Sequence, residues 1–147
     1  MLTLETAAIR ASFIPRRMKS ISVLVADDEE SIRSLLEHWL RTAKHDVVGA
    51  SCATEAYAAL TKRSFELVIT DILMPDGDGL DLIAKLKAVQ PSTRILAISG
   101  GGRWVEGDDC LKMARGLGAH AVVMKPFTWD QLQAGMEQAL GPAAPAL

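Results

Sequence analysis

Asp27-Asp28, Asp71, Ser99 and Lys125-Pro126 stand out in this 147-residue chain as side chains placed to act on a bound group. Each closes a short apolar run, which is where a β-strand would end. If those strands are parallel, all four groups meet along one edge of a sheet. Three carboxylates within several ångströms of one another repel strongly at low dielectric. A hard divalent cation relieves that repulsion most directly, and a few carboxylates with several waters is a ligand set that suits Mg²⁺. Lys125 adds a fixed positive charge and Ser99 a hydroxyl donor. The set is equipped for phosphoryl chemistry, which depends on positioning and on neutralising charged oxygens.

Each group taken alone has a plainer explanation. An Asp-Asp pair caps a helix, a serine at a strand end turns the chain, Lys-Pro fills a loop, and Asp71 could cap the following turn. Their regular recurrence at strand ends carries the functional reading.

The elements that must position them alternate from residue 21 onward. Ile21–Ala26 reads as a strand that stops at Asp27. The following helix carries Ile32, Leu35, Leu36, Trp39 and Leu40 as one apolar stripe. Asp28 is its expected cap, and Glu29 and Glu30 suit the positive end of its dipole. A strand near Val47–Ser51 and an alanine-rich helix opening at Thr54 come next, then a strand over Phe65–Thr70 ending at Asp71. Leu73 to Gly79 is dense in turn formers and reads as a loop, followed by a helix over Leu80–Val89 that Pro91 ends.

Arg94–Ser99 predicts a fourth strand, with the glycine run Gly100–Gly102 after it. A helix near Asp108–Leu117 would bury Cys110, Met113, Ala114 and Leu117, with Gly116 and Gly118 as candidate C-caps. Ala121–Met124 is the fifth strand. Thr128 and Gln131 form a capping-box pair for a last helix with the stripe Trp129, Leu132, Met136 and Leu140, stopped by Gly141-Pro142. Five strands alternating with five helices imply an α/β, doubly wound parallel sheet with helices on both faces. In such sheets the functional crevice lies outside the carboxyl ends of the strands.

Composition excludes other classes. The length fits one domain with a real core. The net charge of −2 is uneven: Arg10, Arg16, Arg17 and Lys19 against Glu5 leave residues 1–20 basic and the body acidic. An acidic body argues against nucleic-acid binding. No apolar run approaches the roughly 20 residues needed to span a bilayer, and the N-terminus lacks a signal-peptide pattern. Cys52 and Cys110 fall in patterns that read as buried or helical, so a reducing cytoplasm is expected and a disulfide framework is not.

Val23-Leu24-Val25-Ala26-Asp27-Asp28, Thr70-Asp71-Ile72-Leu73-Met74-Pro75-Asp76-Gly77-Asp78-Gly79, Ile98-Ser99 and Lys125-Pro126-Phe127 together resemble the receiver domains of bacterial two-component response regulators. The resemblance covers about Ser20–Leu140. It implies the flavodoxin-like strand order 2-1-3-4-5. It implies that Asp71 takes a phosphoryl group from a histidine kinase or histidine phosphotransfer protein. Asp28, Asp71 and the backbone carbonyl of Leu73 would ligate Mg²⁺, with Asp27 acting through water. Lys125 would pair with the phosphoryl oxygens, Ser99 would move to bond them, and the peptide before Pro126 would be cis. Such a domain is a phosphoacceptor switch catalysing only its own phosphoryl transfer and hydrolysis, as a monomer or weak dimer. Residues 1–19 then read as a flexible extension and 141–147 as a disordered Ala/Pro tail, so the signal would pass to a separate downstream protein as an adaptor or a phosphorelay step.

The chain departs from the family pattern in places. Many receivers carry a switching aromatic three residues before the lysine; here that position is Val122, whose branched side chain has little reach. His120, two residues earlier, is a candidate substitute, and an exposed strand-start residue is the plainer reading. The segment between Ser99 and Lys125 is long and glycine-led, which predicts easy water access and a short-lived acyl phosphate. Two rivals remain. A phosphatase with an aspartate nucleophile would place an acid two residues after Asp71, where this chain has Leu73. A pseudo-receiver, never phosphorylated, would not need Asp27, Asp28, Asp71, Ser99 and Lys125 intact. Dinucleotide binding fails, since no G-x-G-x-x-G follows the first strand.

Overall fold

The computed structural model describes residues 19–74, 79–100, 112, 115–116 and 118–141. In chain order the elements are β1 (Ser22–Ala26), α1 (Glu30–Thr42), β2 (Asp46–Ala50), α2 (Ala53–Lys62), β3 (Leu67–Asp71), α3 (Gly79–Val89), β4 (Arg94–Ser99), β5 (Ala121–Met124) and α4 (Trp129–Leu140). The five strands form one sheet in the order β2-β1-β3-β4-β5. Every neighbouring pair is parallel.

The apolar runs are continuous because both faces of the sheet are covered. Successive side chains point to opposite faces, so each central strand feeds two cores. Leu24, Val68, Ile95 and Ala97 pack under α2 and α3 with Ala56, Leu60, Leu82, Ile83 and Leu86. Val23, Val25, Leu67, Ile69, Leu96 and Ile98 pack under α1 and α4 with Leu36, Leu40, Leu132, Met136 and Ala139. Gly135 lets α4 close on the sheet, since a Cβ there would sit 2.4 Å from Val123 Cγ2.

The structure corrects several local expectations. Asp28 does not cap α1; Glu29 occupies the N-cap position without a side-chain cap bond. The carboxylate of Asp27 turns back to take the Glu29 N–H at 2.9 Å, which serves the turn instead. Leu35 is 37% exposed, so the stripe of α1 is narrower than drawn and runs through Leu36 and Leu40. Cys52 is neither buried nor within a helix. It is the N-cap of α2, with Sγ accepting from Glu55 N, while Glu55 reaches back to Ser51. β2 begins and ends one residue earlier than expected, and β3 extends to include Asp71. Gly79 opens α3 and is not a loop residue. The expected helix over Asp108–Leu117 lies outside the described residues except at Lys112, Arg115 and Gly116, which are helical. Residues 1–18, Pro75–Asp78, Gly101–Leu111 and 142–147 also lie outside them. Gly118 has the positive φ of a helix-ending glycine, and the Thr128–Gln131 capping box is formed as expected.

Gln90, a residue without a sequence signal, ties three elements together just past α3. Its Nε2 donates to Leu60 O at 2.7 Å and Arg63 O at 2.9 Å, closing the end of α2. Its Oε1 accepts from Phe65 N at 3.2 Å and Thr93 Oγ1 at 2.8 Å, fixing the entries to β3 and β4. An amide supplies two donors and two acceptor directions, so all are used here. Truncation strands several part-buried groups at once, each worth about 1 kcal/mol or more. Gln90→Ala is therefore expected to lower unfolding stability by about 3 kcal/mol, read from urea denaturation with the slope unchanged.

Candidate functional site

The parallel order brings the carboxyl ends of β1, β3, β4 and β5 to one edge, and the polar residues gather there. Asp27 continues β1, its N–H donating to Ala50 O at 3.1 Å, and is fully buried. Asp28, one residue on, is exposed. Asp71 is the last residue of β3, at the middle of the sheet, and is buried. One carboxylate oxygen from each of Asp27, Asp28 and Asp71 lies within 4.8 Å of the others.

Lys125 enters from the end of β5 and its side chain is largely buried. Its Nζ lies 3.0 Å from Asp71 Oδ2, 3.2 Å from Asp27 Oδ2 and 3.0 Å from Glu29 Oε1. Burial alone would lower its affinity for a proton. Hydrogen bonds to Glu29 and Asp71, with the charges of Asp71 and Asp27, outweigh burial and hold the ammonium above its ordinary range. Asp27 is also raised above its ordinary value, which for a carboxylate disfavours the charged form. Its burial is the largest effect and raises it, against the Glu29 N–H and Lys125, which lower it; Asp71 adds repulsion.

The backbone around Asp71 is equally constrained. Leu73 N donates to Asp71 Oδ1 at 3.2 Å, so one carboxylate oxygen is held by the following turn and the other by Lys125. Thr70 Oγ1 donates to Asp71 O at 3.0 Å. Gly79 N donates to Ile72 O at 2.7 Å, and a Cβ at Gly79 would fall 1.8 Å from Asp71 O. The main chain of the acidic residue and the start of α3 therefore pack at a distance only glycine permits. Ser99, buried at the end of β4, accepts the Lys125 N–H on its carbonyl at 2.8 Å. The Lys125–Pro126 peptide is cis. Behind it, Phe127 and Trp129 both meet the Trp39 ring edge to face, at 6.2 and 6.1 Å.

The donor set fits a hard divalent cation on an observation independent of its acidity. Asp27 Oδ2 is buried, with the Lys125 ammonium 3.2 Å away as its ion-pair partner and no backbone or neutral donor beside it among the described residues. A buried carboxylate oxygen in that condition beside two further carboxylates calls for a cation or an ordered water.

Asp27, Asp28, Asp71, Ser99 and Lys125 thus converge. Two other candidates do not. Val122 pairs with Ala97 and packs toward α2 and α3. His120 lies at the far end of the sheet beside Ile95, four residues before Ser99, or about 13 Å along a strand. It is out of reach as a substitute for an aromatic that moves with Ser99. Two site residues were read only as local features of the sequence. Glu29, assigned to the helix dipole, holds Lys125, and Gly79, assigned to a turn, sets the backbone of Asp71. Which carboxylate of Asp27-Asp28-Glu29-Glu30 meets the lysine depends on the turn into α1.

Comparisons with known proteins agree with this architecture. Residues 23–137 match the family model of the response regulator receiver domain. The chain is 33% identical over 128 residues to the DNA-binding transcriptional regulator NtrC of Azospirillum brasilense, covering 87% of this chain and 26% of that protein. The chain spans about a quarter of the length of curated relatives that it matches. A response regulator receiver domain protein from Clostridium thermocellum superposes with a TM-score of 0.73 at 29% identity, over 81% of this chain and 93% of the other. The chemotaxis response regulator CheY4 of Vibrio cholerae gives 0.72 at 26% identity, over 80% and 97%. Among the described residues no helix is long and apolar enough to cross a membrane. With its strand order, its acidic edge and its family match in agreement, the chain belongs to the response regulator receiver domains, the signalling domains of two-component systems.

Proposed function

We propose that Asp71 is the phosphoacceptor of this domain, receiving its phosphoryl group from a histidine kinase or histidine phosphotransfer protein. The observation that carries the reading is the placement of Asp71 at the end of the central strand, with Lys125 on its Oδ2 and the Asp27 and Asp28 carboxylates alongside. Asp28, Asp71 and the Leu73 carbonyl would hold Mg²⁺, and Asp27 would support it through water. The chemistry such an ion supplies is neutralisation of the charge on the transferring oxygens.

The chain's own residues do the rest. An Asp71 oxygen attacks phosphorus; an O–P bond forms as the donor's P–N bond breaks, and the electron pair leaves on the donor imidazole. The Leu73 N–H orients the carboxylate. Lys125 already sits where the new dianionic group would be, so it exchanges a carboxylate partner for phosphoryl oxygens without crossing solvent. Ser99 closes on those oxygens, and its displacement carries to the ends of β4 and β5 through the bond between its carbonyl and Lys125 N. That change of surface is what a downstream protein would read.

Two predictions test the assignment. Acetyl phosphate should add one phosphate mass to the wild-type chain only when Mg²⁺ is present, with a matching change in Trp39 and Trp129 fluorescence; Asp71→Asn should abolish both. Mg²⁺ binding without modification by either acetyl phosphate or a phosphorylated donor protein would point instead to an unphosphorylated interaction module. Gly79→Ala should displace the Asp71 main chain, destabilise the fold by about 2 kcal/mol and slow labelling, whereas the same change at exposed Gly100, where a Cβ meets nothing within 4 Å among the described residues, should leave the fold intact.

A further inference from the structure

Lys125 reaches Asp71 from the shortest strand of the sheet. β5 has four residues, lies at the edge and pairs only with β4. Its last pair is Ser99 with Met124, after which Lys125 N bonds Ser99 O. Such a strand has few ladder bonds to hold its position. A slip of one residue would move Lys125 by about 3.3 Å and send its side chain to the other face. That displacement exceeds the 3.0 Å separation between Lys125 Nζ and Asp71 Oδ2.

The other end of β5 is fastened by a side chain. His120 precedes the strand and grips Ile95 twice: its N–H donates to Ile95 O at 2.8 Å, and its Nδ1 accepts from Ile95 N at 3.0 Å. The second bond takes a β4 amide that the strand pairing itself leaves beyond the first residue pair, Leu96 with Ala121. We propose that His120 is a positioning residue for the phosphoacceptor site, fixing the register of β5 on β4 so that Lys125 stays on Asp71 and beside Ser99. The inference rests on the assignment of Asp71 as phosphoacceptor.

The clamp is sensitive to protons. An amide N–H only donates, so Nδ1 must keep its lone pair and the imidazole must be neutral. The groups facing it favour that form. Burial is the largest effect, and Arg94 at the start of β4 and Lys87 near the end of α3 are both cations; together they hold His120 below its ordinary value of 6.5. Opening exposes an imidazole that binds a proton more readily than the clamped one. Closure is thus fully favoured above 6.5 and weakens as pH falls below it toward the clamped value. His45 makes the corresponding bond at the opposite edge, its Nδ1 accepting from Ile21 N at 3.2 Å ahead of β2. It touches no strand that carries Lys125 or Ser99, which makes it the control.

The test compares full-length wild type, His120→Ala, His120→Asn and His45→Ala. Local opening at the Lys125 amide is followed by hydrogen exchange corrected for intrinsic rate, and the site by Mg²⁺-dependent labelling with acetyl phosphate. Asparagine Oδ1 occupies the place of Nδ1 as an acceptor and does not titrate. His120→Ala is expected to raise opening at Lys125 about five-fold at neutral pH and to slow labelling by a similar factor, the loss of one hydrogen bond. His120→Asn should restore both and abolish the rise in opening expected of wild type below pH 6.5. His45→Ala should lower global stability without changing local opening at Lys125. The proposal is overturned if His120→Ala behaves as His45→Ala does, or if the asparagine variant keeps the acid response. Absence of labelling in wild type, with the exchange pattern as expected, would refute the phosphoacceptor assignment while supporting the hold of His120 on Lys125.

Discussion

The Lys125 ammonium meets the Asp71, Asp27 and Glu29 carboxylates at 3.0 to 3.2 Å, at a sheet edge where the lysine and the two aspartates are withdrawn from water. Two of those carboxylates are buried, and like charges at such range cost several kcal/mol when unopposed. The rest of the architecture serves to make this accumulation possible. A parallel sheet aligns all strand ends in one direction, so acidic residues distant in sequence arrive at the same edge. The order β2-β1-β3-β4-β5 then places β3 between β1, which carries Asp27, and β4, which carries Ser99, while β5 delivers the cation across β4. A single lysine cannot balance three aspartates and Glu29, and the residual negative charge is of the kind a divalent cation would offset.

The same contact explains how a small domain can respond to a small group. In the resting arrangement Lys125 is a partner of Asp71 itself. Any group that joins Asp71 and carries its own negative oxygens competes for that ammonium at once. Because Lys125 and Ser99 are joined through the backbone, a shift of one is felt by the other. The cores on either side are built of buried side chains in contact, and packed cores change between discrete arrangements more readily than they deform.

The fold was legible in the sequence wherever burial decides alone. Arg94–Ser99 and Ala121–Met124 were delimited to the residue because an apolar run under two layers of helices must end at the first group that needs water, a metal or a partner. Asp27, Asp71, Ser99 and Lys125 were legible for the same reason. What the sequence did not reveal depends on where a side chain turns after its backbone is placed. Asp28 does not take the expected cap role, and Asp27 folds back on Glu29 to close the turn ahead of α1. Leu35 fits a helical stripe by spacing yet faces out, since α1 presents Leu36 and Leu40 to the sheet. Gln90 has no periodic or motif signal, and its four bonds exist only once α2, β3 and β4 are assembled.

The two histidines extend that point to function. From sequence alone His120 is a polar residue at the start of a strand, near a lysine and short of an aromatic. In three dimensions it belongs to the end of the sheet away from the chemistry, and its nearest counterpart is His45, seventy-five positions earlier in the chain and at the opposite edge. Both edge strands of the sheet are therefore preceded by an imidazole that must be neutral to hold a backbone amide, Ile21 N just ahead of β1 and Ile95 N within β4. At β2 this secures only the edge of the fold. At β5 the strand is short, has one neighbour, and ends in the lysine on which the site's charge balance depends, so the same bond acquires a second consequence. Distance from the acidic edge does not insulate a residue from it when a rigid four-residue strand lies between.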